Sequence, residues 1–554
     1  MGQKTMRTAR FLQLAVFAIA CMMAVGLAVP LQAHAADQVF ADGEIAVIKV
    51  TAGTASYDEA TNTLTLTNIK ANDVYVNKPG TTIVLAGANT LRYQVETGAD
   101  GISIAGSGSL APMARTTNHL VTSIEGTTLT IRGGTLTGGV ESGGNLVLAG
   151  GTITGEFEVG GNLTVSGATV KGPLEVGQDI TVSKGSVTMQ SGMFDKGLVE
   201  SVQLRLWSRD GNLKISGGTV TVSNDRKDSS MMVACAGDLT VSGGKLDISD
   251  TYSGSSMFVS AGGNLTVSGG TFKLANAGGG ELLLEGSKPQ VKVTGGKLVL
   301  KNTQLGADRG NLNMTGGTLS VKCTGGDAIY GFKKATVTGG SFTAIGNKNG
   351  NAIEAASMNN KASCLKGVQG HLPKGAKFLL DGNEYQIQQE NEVFLLNYGS
   401  KSTKATFGYS IKYGKSDYRI VGIGANAFNT KTGHKLKSIV FKDEDIYFIG
   451  KKAFYGTKAL KKLSIGFCVE HKIKNDKLLD MRVSKSQKAK VAKNAFSKCG
   501  YKGGKGLTVA WCNATIGKAD VKVHKKLLKS CGMSPQVKIK ANSKKYTWLG
   551  LGWA

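Results

Sequence analysis

Leu265 to Phe272 reads LTVSGGTF, and nine other segments of the 554-residue chain follow its rule. An aliphatic residue, a gap, a second aliphatic residue and a gap lead into a glycine or small pair, followed by Thr, Ser or Lys and a third apolar residue. The other copies begin at Leu129, Leu146, Leu163, Ile180, Leu213, Leu239, Val291, Leu312 and Ala335. Successive starts lie 17, 17, 17, 33, 26, 26, 26, 21 and 23 residues apart, and periods of this size mark a solenoid. Within each copy the alternation of apolar and polar residues predicts a short strand with one face inward. The glycine pair supplies a corner, where positive φ costs glycine nothing and a side chain would clash. A helix would need apolar residues three and four apart, and each glycine inside it would cost about 1 kcal/mol relative to alanine. The expected fold is mainly β solenoid, a parallel β-helix whose ten coils, stacked at about 4.8 Å, rise roughly 50 Å.

Residues 1–35 read as a secretory signal. Lys4, Arg7 and Arg10 precede an apolar run from Phe11 to Leu31, and Ala33-His34-Ala35 forms a cleavage site. The competing reading is a membrane anchor, against which Pro30 and the cleavage site weigh. Residues 36–120 repeat the alternation in irregular form, as expected for the capping coils of a solenoid, and 121–346 hold the regular coils. The largest deviation is the insert from Met193 to Asp210, which carries Arg205, Trp207 and Arg209. A tryptophan between two arginines can stack on a sugar ring while the guanidinium groups meet acidic or hydroxyl groups. It can equally pack on the scaffold under its own loop. Asp225, Asp228, Asp247 and Asp250 are hard oxygen donors of the kind calcium takes, yet they lack the spacing of calcium-binding β-rolls, which favours a solvated surface.

The period is lost over 347–373, the expected linker, and beyond it the charge changes. Residues 1–360 carry 28 Lys plus Arg and 27 Asp plus Glu, whereas 361–554 carry 38 and 12, so +26 of the net +27 belongs to the C-terminal third. Such asymmetry implies an anionic partner or surface, unless it is a solubilising face. For an exported chain the expected partners are extracellular glycans, anionic cell-wall polymers or host surface proteins, and not nucleic acid. Lys451, Lys452, Lys461 and Lys462 are the candidate contacts. This third has its own repeat: Ile423, Gly424, Ala427 and Phe428 are matched by Ile449, Gly450, Ala453 and Phe454. Leu436, Ile439 and Phe441 are matched by Leu460, Leu463 and Ile465, with degraded copies from Val491 to Val509 and from Leu528 to Ile539. Residues 374–545 form the expected basic domain, and 546–554 a tail too short to span a bilayer.

The array resembles the carbohydrate-binding parallel β-helix domains of secreted bacterial surface proteins, some similar in fold to polysaccharide lyases. Its 17-residue coils also look like those of bactofilin-type β-helices. The pattern IGxxAFxxxxxL followed by an LxxI or LxxL strand resembles the leucine-rich repeats of BspA-type bacterial surface proteins, with Tyr385 and Tyr418 in recurring positions. That resemblance implies a small domain with short helices, Phe428, Phe454 and Phe496 in its core, and adhesion to extracellular or host proteins. The six histidines are isolated and no GxSxG, HExxH or phosphate-cradling loop occurs, which argues for binding over chemistry, with no cofactor expected. A lyase or glycoside-cleaving enzyme on the β-helix is the alternative. Seven cysteines follow the signal without metal spacing; Cys499 and Cys531 occupy equivalent repeat positions, as buried thiols or as a disulfide.

Overall fold

The computed structural model describes residues 36–114, 119–191, 202–227, 229–323, 325–347, 350–442, 446–466, 471–474, 477–480, 490–512 and 528–541. The expected signal, the tail and Asp228 lie outside these residues. Strands make up 58% of the structure and helical residues 4%, so the described chain is mostly β-sheet. Thirty-six strands, from Ala36–Phe40 to Leu365–Gln369, join into one large sheet. Antiparallel pairing is confined to its beginning, where Ile45–Val50 pairs with Ala36–Phe40 and Asp73–Val76, and Ala52–Asp58 with Thr63–Ala71. The later pairings are parallel, and each strand bonds to the one a repeat further on, an arrangement compatible with a solenoid.

The repeat register is the pairing register. Leu129, Leu146, Leu163, Ile180, Leu213, Leu239, Leu265, Val291, Leu312 and Ala335 stand side by side on successive strands. Their side chains are buried, as are Val267, Phe272 and Leu274 further along the unit, so the inward face is a continuous apolar column. Each buried aliphatic side chain stabilises by about 1.5–3 kcal/mol, which a one-residue slip would forfeit by turning every such residue outward.

The two glycines of the motif serve different needs. Gly270 has φ +60°, and Gly269 lies where a β-carbon would sit 2.3 Å from the Ser242 carbonyl of the preceding coil. A second device precedes the motif. The Asn145 Oδ1 accepts the Asn162 N–H, and the Asp179, Asn212, Asp238 and Asn264 side chains continue the row, each accepting the backbone N–H one repeat above at 2.7–2.9 Å. The glycine before most of the ladder residues makes room, Gln178 before Asp179 being the exception: a β-carbon on Gly263 would lie 2.3 Å from Asp238 Oδ1.

The stretch 347–373, expected as a linker, is part of the large sheet. Ile353–Asn360 pairs with Ile329–Val337, and Leu365–Gln369 with Ser341–Ile345. Asn360 then fixes the following strand, accepting the Lys377 N–H at 2.8 Å and donating to the Lys377 carbonyl at 2.7 Å. Polar composition suggested a loop; here an asparagine supplies the backbone pairing that ends one sheet and starts the next. Past it, Phe378 stacks on Tyr385 and Tyr413, with ring centres 5.5 and 4.2 Å apart.

The C-terminal third builds two larger sheets and a two-stranded one, His471–Lys474 with Lys477–Asp480. In one of the larger two, Glu392–Asn397, Ser416–Ile423, Phe448–Ile449 and Lys490–Val491 run parallel, setting Ile423 beside Ile449 and Ile449 beside Val491. In the other, Lys404–Phe407, Ser438–Phe441, Lys462–Gly466, Thr508–Cys512 and Lys538–Ala541 align Ile439, Leu463, Val509 and Ile539. Phe428, Phe454 and Phe496 stack between the repeats at 5.1 and 4.9 Å. Where short helices were expected, the described residues hold mainly turns and 3-10 segments such as Gly433–Lys435. Cys499 and Cys531 are buried, free thiols, and burial pushes Cys499 up to about 11.

Candidate ligand-binding surfaces

The five-stranded parallel sheet carries the basic residues outward. Its strands alternate, so the residues that precede buried Ala405, Ile439, Leu463 and Val509 and half-buried Ile539 face away from the core. Lys404, Ser438, Lys462, Thr508 and Lys538 therefore form one row across it. Lys437 and Lys461 sit at the strand starts, joined by the Lys461 N–H to the Lys437 carbonyl at 2.9 Å. Every lysine named here is exposed, and among the described residues no lysine beyond 360 is ion-paired to a carboxylate.

Two tyrosines at the corners gather more of this charge. Tyr455 has Lys452 and Lys498 over its ring at 5.3 and 5.4 Å, and Tyr501 has Lys461 and Lys502 at 4.7 and 5.7 Å. A hydrogen bond with Lys498, aided by its charge, holds the Tyr455 hydroxyl below the usual phenol range. Each ring face attracts ammonium groups, holding pairs of like charges together at the surface. Of the four candidate lysines, Lys452 and Lys461 belong to these clusters, Lys462 lies on the strand row, and Lys451 is exposed on the turn before Ala453. The tyrosines escaped sequence reasoning because Tyr455 meets Lys498, and Tyr501 meets Lys461, only across stacked repeats.

Arg205, Trp207 and Arg209 lie elsewhere, on an outward face of the large sheet. The expected insert is, in its described part, the strand Val202–Ser208, in register with Leu174–Val176 and Ser229–Cys235. Glu141, Glu158, Glu175 and Trp207 follow one another on adjacent strands. Like charges so placed repel, and the row ends in its own counter-ions. Arg205 donates to Glu175 and Gln203, and Arg209 Nε lies 3.7 Å from Glu175 Oε1, with its guanidinium 6.0 Å from the Trp207 ring centre. At the other end His119 Nδ1 stands 3.4 Å from Glu141 Oε2. The arginines thus neutralise the scaffold's own carboxylate.

The described aspartates once weighed as calcium donors also have partners. Asp247 binds Lys245 and Lys273 at 2.7 and 3.2 Å, Asp250 takes the Tyr252 N–H and the Ser255 hydroxyl, and Asp225 takes the Ser191 hydroxyl. Among the described residues no group of three or more His, Cys, Asp or Glu is placed to hold a metal ion. No described helix is long and apolar enough to cross a membrane. No family model, curated protein or solved structure matches this chain.

Proposed function

We propose that this chain is a secreted or cell-surface binding protein in which a parallel β-helix carries a basic module of BspA-type leucine-rich repeats, and that the module holds anionic extracellular polymers. The observation that carries this reading is the set of exposed lysines without carboxylate partners on the five-stranded sheet and around Tyr455 and Tyr501. Adjacent strands are about 4.8 Å apart, so Lys404, Lys462 and Lys538, on alternate strands, present charge at roughly 10 Å intervals. A polymer bearing regular phosphate or sulfate groups meets such a row at several points, and the free lysines also raise its local concentration. The large sheet is then the stalk that displays the module.

The test is retention of the full chain on immobilised sulfated or wall-type phosphate polymer. Retention is expected at low salt, with elution well below about 1 M NaCl, where the screening length is about 3 Å. Retention unchanged at that salt would defeat an electrostatic account.

A further inference from the structure

The large sheet also holds a cleft of about 580 Å³ whose lining differs from the basic module in every respect. Its walls include Phe258, Leu283, Glu281, Asn302 and Gln304, and among the described residues no Lys, Arg or His lines it. Phe258 is 47% exposed on the outward side of the strand Ser256–Ala261. The next coil sets Val259 beside Leu282, which brings Glu281 next to Phe258, and the coil after sets Gln304 beside Glu281. Three glycines, Gly278 to Gly280, run along the edge, and no atom lies within 4 Å of where a Gly279 side chain would begin.

Glu281 is the anomalous residue. Its Oε1 is buried and has no hydrogen-bond partner in the protein, and burial pushes its carboxyl above the usual range. Leaving a buried polar atom unpaired is unfavourable, and more so for a charged group. The same oxygen shares its space with the Tyr330 hydroxyl: a β-carbon on Gly306 would lie 2.3 Å from the first and 2.5 Å from the second. The missing side chain of Gly306 therefore leaves the room in which the carboxyl and the phenol lie, and any β-carbon there would collide with both. The Gln304 amide is fixed beside them by donating to the Asp327 carbonyl at 2.8 Å.

We infer that this cleft binds a neutral sugar residue of a glycan, with Phe258 and Leu283 under its apolar face and the Glu281 carboxyl group, beside Gln304, hydrogen-bonding its hydroxyl groups. An uncharged polyol fits because a carboxyl with no cation nearby disfavours an anion, while an apolar floor beside an unpaired acceptor matches a molecule that is apolar on one face and hydroxylated at its rim. This inference deepens the reading of an extracellular polymer binder by adding a site for a second, uncharged ligand. It does not depend on the lysines.

The experiment is titration of the full chain with a panel of neutral oligosaccharides in about 0.5 M NaCl, where screening within about 5 Å suppresses the basic module. Binding by at least one neutral glycan is expected. Phe258→Ala should weaken it at least about tenfold and Glu281→Ala about tenfold, with Glu281→Gln less damaging because an amide oxygen still accepts. Gly306→Ala, whose β-carbon would push the Glu281 carboxyl from its place, should weaken it as well. Phe258 is largely exposed, so that variant keeps the fold, to be checked by an unchanged thermal transition. Lys462→Gln should leave neutral-glycan binding unchanged while weakening retention on anionic polymer, which separates this site from the basic one. Failure of every neutral glycan to bind, or binding indifferent to both Phe258→Ala and Glu281→Ala, would overturn the proposal. So would new reducing ends in the panel, since a cleaving enzyme is a different assignment.

Discussion

Replacing Asp238 by alanine tests the side-chain ladder that ties one coil to the next. Asp238 Oδ1 accepts the Asn264 N–H at 2.7 Å and its Nδ2 at 3.0 Å, while the Asp238 N–H donates to Asn212 Oδ1 at 2.7 Å. Asp238→Ala keeps the last bond, which is a backbone donation, and deletes the first two. A hydrogen bond to a charged group contributes about 1.5–3 kcal/mol when well buried. Asp238 is half-buried and water can replace part of the loss, so the expected cost is about 1–2 kcal/mol. Asp238→Asn retains an oxygen in the same place and should cost under about 0.5 kcal/mol. The sensitive assay is hydrogen exchange of the Asn264 amide, because opening in a repeat array is local. In Asp238→Ala that amide should exchange about five- to thirtyfold faster, at 1.4 kcal/mol per factor of ten, and in Asp238→Asn hardly faster. Equal exchange in the wild type and the alanine variant would refute the claim that the side chain bears the link.

Phe454→Ala should destabilise the basic module by about 3–5 kcal/mol, because the ring is fully buried between Phe428 and Phe496. Exchange protection across residues 423–509 should fall while the coils before 346 keep theirs; protection unaltered in both would show that the phenylalanine stack is not structural. His119 should titrate above the ordinary histidine value, since the hydrogen bond to Glu141 raises it and the charges of Glu156 and Glu158 add to that. A raised native value means that this contribution is fully present below about pH 6.5 and fades as pH rises through the native midpoint. Glu141→Gln should move the NMR midpoint of His119 downward, and an unmoved midpoint would leave the pair without a role.

Much of this architecture was legible because period and pairing are the same fact. A parallel ladder bonds each residue to its equivalent one repeat later, so LTVSGGTF and its copies gave the register directly, including the 33-residue step from Ile180 to Leu213. The second repeat was legible for the same reason, down to the weak copy at Val491. The ladder of Asn145, Asn162, Asp179, Asn212, Asp238 and Asn264 has no sequence signature of its own, because polar residues near glycines look like loop composition unless each is known to bond its successor. Asn360 is of the same kind: polar composition hides the strand Ile353–Asn360 within the stretch expected as a linker. Trp207 was singled out by residue type, whereas the cleft needed the register first: Phe258, Glu281 and Gln304 are 23 residues apart in sequence and adjacent only once the coils are stacked.

The central claim, that unpaired lysines of the C-terminal sheet hold an anionic polymer, is tested most directly by the salt dependence of affinity in Lys404→Gln/Lys462→Gln/Lys538→Gln. These side chains are exposed, so the fold should persist. For a highly charged polymer each lysine that displaces a counter-ion adds about one to the slope of log affinity against log salt. The account predicts a slope shallower by about two to three in the triple variant and weaker binding at low salt. An unchanged slope and affinity would contradict it.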